Sequence, residues 1–329
     1  EDMIAEEEMV LTITHNGYIK RTSLSTYRSQ RRGGRGVQGA SSREEDFVEH
    51  LFVANTHSYI LFFTDKGKCY WVKVYDIPEG GRAAKGRAIV NLIGCEPDEK
   101  VSAFISVKEF HEDHFVVMAT EKGIVKKTKL SAYSNPRKKG IYAVEIRDGD
   151  KLIEARVSTG DNDILLGTRN GKSIRFSEEQ IRASGRKTMG VKGITLSSDD
   201  DRLVGMLLIK REGTVLVATE KGFGKRTEIS QYRAQKRGGK GVLTMKTTEK
   251  VGKMVTIKEV VEKDDLMIIT NQGVLIRLPV AQIRSIGRAT QGVKLIKLGE
   301  GTLVSSITRI MSEEEQNEDN NSEPSSDKE

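Results

Sequence analysis

Six stretches of the 329-residue chain repeat one pattern: an apolar, β-branched run, a short polar turn ending in glycine, and a second alternating run. They are "VLTITHNGYIKRT" from Val10, "YILFFTDKGKCYWV" from Tyr59, "FVVMATEKGIVKKT" from Phe115, "ILLGTRNGKSIRF" from Ile164, "VLVATEKGFGKRT" from Val215 and "LMIITNQGVLIRL" from Leu266. Alternation places successive side chains on opposite faces of a strand, and a closing glycine suits the positive φ of a tight turn. Each stretch therefore predicts a β-hairpin.

The turn glycines are Gly17, Gly67, Gly123, Gly171, Gly222 and Gly273, at spacings of 50, 56, 48, 51 and 51. A second glycine follows each: Gly36, Gly86, Gly140, Gly190, Gly241 and Gly292, at offsets of 19, 19, 17, 19, 19 and 19. Two more short strands come next, as in "VLTMKTT" from Val242 and "KMVTIKEVV" from Lys253. Four strands in a unit of about 50 residues match a propeller blade. The prediction is an all-β, six-bladed disc over residues 9–311, its blades burying one another's faces, with Trp71 and most phenylalanines as inter-blade packing.

Composition sharpens this picture at the ends. Residues 1–8 hold five acids and no base and read as an acidic linker; residues 312–329 hold eight acids and one base and read as a disordered acidic tail. The net charge of +7 thus hides a body of 53 basic and 34 acidic residues, a surplus that predicts an extended anionic partner, nucleic acid before membrane. The chain starts at Glu1 without methionine and reads as a domain cut from a longer protein. Its apolar runs are far shorter than the roughly 20 residues of a membrane helix, so no membrane role is expected. Cys69 and Cys95 form no C-x-x-C pair, which suits a reducing cytoplasm rather than a disulfide framework or zinc site.

The basic surplus gathers between each hairpin and its second glycine: "YRSQRRGGRG", "PEGGRAAKG", "YSNPRKKG", "IRASGRKTMG", "YRAQKRGGKG" and "IRSIGRATQG". Six equivalent places in six blades predict a cationic track around one rim. Glycine lets the main chain approach a phosphate, and arginine and lysine supply charge and donors. The candidate DNA-binding residues are Gln30, Arg31, Arg32, Gly33, Gly34, Arg35 and Gly36 in the first repeat and Arg82, Lys85 and Arg87 in the second. Later repeats add Arg137, Lys138, Lys139, Arg186, Lys187, Lys192, Arg233, Lys236, Arg237, Lys240, Arg284 and Arg288. Tyr27, Tyr133 and Tyr232 precede three of the stretches, but no full set of stacking aromatics accompanies them, which favours duplex backbone over single strands.

"QRRGGRG", Gln30 to Gly36, resembles the signature box of the gyrase A protein of DNA gyrase, and the six repeats and acidic tail resemble its C-terminal domain. The resemblance implies a β-pinwheel in which neighbouring blades exchange strands, with duplex DNA wrapped on its perimeter, and it gives the first-blade box the leading role in wrapping and supercoiling. It further implies that the isolated domain is monomeric and non-catalytic, without cofactor or metal. ATP and magnesium would act elsewhere in a cytoplasmic, nucleoid-associated holoenzyme built with the gyrase A N-terminal region and gyrase B, two copies of each protein. The near copy "QKRGGKG", Gln235 to Gly241, departs from a single-box pattern, so Lys236, Arg237 and Lys240 are expected to share the load. The related domain of topoisomerase IV and a propeller scaffold for acidic proteins remain as alternatives.

Three motif matches fail on context. "GRGVQG" from Gly34 lacks the strand before and helix after that a dinucleotide site needs. "GTRNGKS" from Gly167 is one residue short of a phosphate-binding loop and aligns with the other hairpin turns. "HEDH" from His111 lacks metalloprotease spacing and reads as an inter-blade loop.

Overall fold

The computed structural model describes residues 3–24, 26, 46–81, 83–210 and 213–310. Gln30 to Gly36, Tyr27, Arg82 and residues 312–329 lie outside the described residues.

Each repeat supplies the hairpin and inner strand of one antiparallel sheet, or blade. Its hairpin pairs Glu8–Thr14 with Tyr18–Ser23 in the first blade, and Tyr59–Thr64 with Lys68–Lys73 in the second. The third to fifth pair Phe115–Thr120 with Ile124–Lys129, Asp163–Thr168 with Lys172–Ser177, and Thr214–Thr219 with Phe223–Glu228; the sixth pairs Asp265–Thr270 with Leu275–Pro279. In all six turns the glycine N–H donates to the carbonyl of a threonine three residues earlier, as Gly171 does to Thr168 at 3.0 Å. That threonine's hydroxyl accepts from the residue after the glycine, Lys172 N–H at 3.1 Å in this turn. The threonine closes the turn twice over.

On the inner side of each hairpin lies the last strand of the repeat: Val48–Asn55, Val101–Val107, Leu152–Ser158, Leu203–Leu208, Met254–Val260 and Val304–Ile310. These six strands surround one axis and line a cavity of about 840 Å³, with Val304–Ile310 of the sixth blade beside Val48–Asn55 of the first. The disc therefore returns to its start at the axis.

The outermost strand of a sheet belongs to the next repeat. Arg87–Ala88 pairs with the first hairpin, Ile141–Tyr142 with the second, Val191–Lys192 with the third, Val242–Leu243 with the fourth and Val293–Lys294 with the fifth. Each of the second to sixth repeats contains four strands, but it lends one to its predecessor. Among the described residues the sixth sheet has three.

This loan explains the second glycine. Gly241 turns the chain down onto the fourth hairpin at φ +75°, and a Cβ there would stand 2.3 Å from the Ser173 carbonyl oxygen. Side chains are strained at that φ and the oxygen belongs to a paired backbone, so nothing can give way. Gly241→Ala is expected to cost about 2–3 kcal/mol of stability, read as a lowered denaturant midpoint; an unchanged midpoint would contradict the account.

Blades meet through apolar faces. Leu11 and Ile13 pack on Ile60 and Phe62, Leu61 and Phe63 on Val116 and Met118, Val117 and Ala119 on Ile164 and Leu166, Leu165 and Leu207 on Val215 and Val217, and Leu216 on Leu266 and Ile268. Each large side chain buried this way contributes about 1.5–3 kcal/mol. Trp71 packs in the seam between the second and third blades, where its indole N–H donates to the Tyr133 carbonyl at 2.7 Å. No described helix is long and apolar enough to cross a membrane.

Candidate nucleic-acid interface

Basic side chains on this disc divide into two populations. The first faces inward. Four residues after the turn glycine, Arg21, Lys127, Arg175 and Arg226 donate to carbonyls of the next blade at Ile77, Glu178, Tyr232 and Ile283, over 2.6, 3.2, 3.1 and 2.9 Å. Trp71 makes the same reach in the second blade. These charges staple blades together, so the basic surplus of the sequence overstates the charge available to a partner.

The second population stands on the rim. Each loop leaves the hairpin through a short 3-10 turn, Val74–Asp76 in the second blade and Leu130–Tyr133, Glu178–Gln180, Ile229–Gln231 and Val280–Gln282 in the next four. It then ends at the second glycine and the lent strand, on the outermost edge of the preceding sheet. The five described loops therefore lie around one perimeter, as the sequence predicts. The "QRRGGRG" loop and Arg82 lie outside the described residues, so the geometry of the site rests on the other repeats.

Within these loops Arg87, Arg137, Lys138, Lys139, Lys187, Lys192, Arg233, Lys236, Lys240 and Arg284 are exposed, and their charged groups have no hydrogen bond or ion pair among the described residues. Lys85 is also exposed, with its ammonium 4.3 Å from the centre of the Tyr18 ring. Arg186, Arg237 and Arg288 differ. Each is half-buried and donates to the strand that the preceding repeat lends, at the carbonyls of Tyr142 (3.3 Å), Lys192 (2.7 Å) and Leu243 (2.9 Å). All three stand four residues before the second glycine, and they anchor the loop that carries the others.

Arg182 is a rim residue that sequence reasoning missed. It is exposed, and it occupies the offset of Arg233 and Arg284, eight residues before the second glycine. Tyr133 and Tyr232, which precede two of the loops, are buried, with hydroxyls meeting the Ala143 carbonyl and the Thr244 hydroxyl. Burial pushes both phenols up from the usual range and keeps their rings from stacking on bases. The Walker-like "GTRNGKS" is the fourth hairpin turn.

The repeats agree with one known family. The model for the DNA gyrase C-terminal domain, beta-propeller, matches six times, at residues 8–55, 58–108, 114–159, 162–210, 213–260 and 264–310. The chain belongs to the DNA gyrase A C-terminal domain family. It is 48% identical over 318 residues to the DNA gyrase A protein of Staphylococcus epidermidis, covering 96% of this chain and 36% of that protein. The DNA gyrase A protein of Staphylococcus aureus is 47% identical over 331 residues, covering 99% of this chain and 37% of that protein. The chain thus spans just over a third of these relatives.

Among solved structures, the C-terminal domain of DNA topoisomerase IV superposes with a TM-score of 0.83 at 25% identity, covering 94% of this chain and 95% of that one. A DNA gyrase A C-terminal domain gives 0.70 at 22% identity, with 93% and 100% covered. Shape alone does not separate the two enzymes. The family match and the curated relatives place this gyrase-family domain with gyrase.

Proposed function

We propose that this domain binds duplex DNA along its rim without reading sequence and bends it around the disc, so that a gyrase holoenzyme introduces negative supercoils with a fixed crossing sign. The observation that carries the reading is the recurrence of exposed, unpartnered cations on equivalent loops of successive blades.

Bending about 40 base pairs through roughly 180° costs on the order of 10 kcal/mol for a smooth elastic rod. No single contact offsets that cost. Phosphate contacts distributed along an arc do, because each releases counterions independently of base sequence. A curved row of cations therefore bends DNA as it binds it. The passage chemistry, the ATP and the magnesium belong on this reading to the rest of gyrase A and to gyrase B, and the domain itself is non-catalytic and acts in the cytoplasm.

Wrapping with one handedness fixes the sign of the crossing presented for strand passage. Ligation of nicked circular DNA with the full chain present, followed by topoisomer analysis, should therefore give a linking-number change of one sign that grows with protein. Binding with no linking-number change would instead favour the topoisomerase IV reading, in which the rim holds DNA without wrapping it; absence of duplex binding would favour an acidic protein partner.

A further inference from the structure

One position on the hairpins alternates around the ring. Three residues after the turn glycine stand Lys20, Tyr70, Lys126, Ile174, Lys225 and Ile276 in successive blades. The lysines of the first, third and fifth blades all reach under the rim loop of the next. Lys20 donates to the carbonyls of Gly81 and Ala84 at 2.8 and 2.9 Å. Lys126 donates to those of Ala143 and Arg186, both at 2.6 Å. Lys225 donates to the carbonyls of Gly287 (2.8 Å), Arg288 and Thr290 (3.1 Å), and meets the Thr290 hydroxyl at 2.9 Å.

The chemistry at the two buried posts is unusual. Lys126 and Lys225 are 1% and 0% exposed, yet neither meets a carboxylate; both are held by oxygens of the main chain and one hydroxyl. Burial, with Arg186 beside Lys126 and with Arg288 and Lys246 beside Lys225, pushes both amines down to about 7. An uncompensated buried cation is costly, so carbonyl dipoles turned toward it are the feature that makes the position tenable.

Turning a carbonyl inward has an outward consequence. The described chain has no cis peptide bond, so each C=O lies opposite the N–H of the following residue. The carbonyl of Arg186 points at a buried ammonium, and the N–H of Lys187 therefore points away from it. The carbonyls of Gly287 and Arg288 do the same for the N–H groups of Arg288 and Ala289. None of these three N–H groups donates a hydrogen bond within the described chain. Adjacent free main-chain N–H groups, as at Arg288 and Ala289, make an anion-binding concavity, and a lysine donor behind the peptide polarises them further in that sense, as it does the single N–H of Lys187.

We propose that the rim loops of the fourth and sixth blades are main-chain phosphate sites, in which Lys126 and Lys225 are positioning residues that present the N–H groups of Lys187, Arg288 and Ala289 to a phosphodiester. The inference rests on the DNA-binding reading and deepens it. It adds donors that no count of basic side chains reveals, and it assigns them to alternate blades. At the same position Tyr70 gives its hydroxyl to Glu99 and Ile174 joins an apolar cluster, so the third and fifth loops have no such post.

The test is a titration of the full chain with a 20-base-pair duplex, following backbone amide resonances. The Lys187, Arg288 and Ala289 amide protons should move downfield and saturate with binding, as those of hydrogen bonds to phosphate do. In Lys225→Met the Arg288 and Ala289 responses should vanish while that of Lys187 persists. The affinity should then fall about tenfold with the log–log salt slope little changed, because a neutral N–H neutralises no phosphate. Lys225→Gln, which keeps two donors, should restore part of the response. If Lys225→Met does not fold, Lys126→Met and the titration of the unaltered chain still decide. Duplex binding that leaves these three amides unmoved would overturn the proposal while sparing the DNA reading. Absence of duplex binding altogether would remove the reading beneath it.

Discussion

Raising monovalent salt from about 50 to 200 mM is expected to weaken duplex binding by roughly four orders of magnitude. Each neutralised phosphate contributes about −0.9 to the log–log slope, and about eight contacts give a slope near −7. The estimate of eight is modest beside the rim. Arg137, Lys138 and Lys139 in the third blade, Arg182 and Lys187 in the fourth, and Arg233, Lys236 and Lys240 in the fifth already supply exposed, unpaired charges. The anchoring arginines Arg186, Arg237 and Arg288 are left out of this tally because their guanidinium groups hold neighbouring carbonyls. Unrelated duplexes of one length should bind within a few fold of each other. Fluorescence anisotropy across a salt series measures both quantities; a slope shallower than about −3, or one sequence preferred a hundredfold, would point to base readout.

Alanine at Arg31, Arg32 and Arg35 in a full-length gyrase A protein is expected to abolish negative supercoiling while relaxation without ATP persists. Affinity sums around the rim, so losing one loop should lower binding by the domain only about tenfold to a hundredfold. Wrapping is different, because the bend is complete only when the last loop captures the DNA. The fifth-blade copy shows how the box residues divide. Lys236 and Lys240 are exposed there without partners, whereas Arg237 donates to the carbonyls of Gln180 and Lys192 of the fourth repeat. By offset from the second glycine, Arg31 and Arg35 match Lys236 and Lys240, and Arg32 matches Arg237. Arg31→Ala with Arg35→Ala should therefore suffice. Lys236→Ala with Lys240→Ala should weaken binding with a smaller loss of supercoiling. A triple alanine variant that supercoils at the normal rate would show that another loop completes the wrap.

Much of this architecture was legible in the sequence because its causes are local. A glycine every 48 to 56 residues marks a turn that only a positive φ can make, and apolar alternation on both sides marks a hairpin. The threonine three residues before each turn glycine is equally visible but carries no such signal by itself, although it closes all six turns. What the sequence hid is non-local. Arg182 and Arg186 stand in one loop with the same charge, yet one faces solvent and the other a carbonyl of the preceding repeat. Nothing in residue type separates a guanidinium for phosphate from one for a peptide oxygen, since the chemistry recognised is the same. The distinction needs the neighbouring blade, and so does the second glycine, whose partner is a backbone oxygen about 70 residues earlier in the case of Gly241 and Ser173.

The lent strands also set how such a ring comes apart. A blade in an ordinary propeller is a closed unit, and one could be lost with little harm to the sheet beside it. Here, unfolding the repeat that contributes Val242–Leu243 uncovers the edge of the hairpin Lys172–Ser177 in the blade before it. Damage therefore spreads toward the amino end of the chain, one sheet at a time, while the blade that follows keeps its own outer strand. Deleting an internal repeat cleanly, from one second glycine to the next, would preserve every loan and shorten the ring by one, whereas a cut at the hairpins would orphan an edge. The natural unit of inheritance in this fold runs from second glycine to second glycine, offset from the blade the eye picks out.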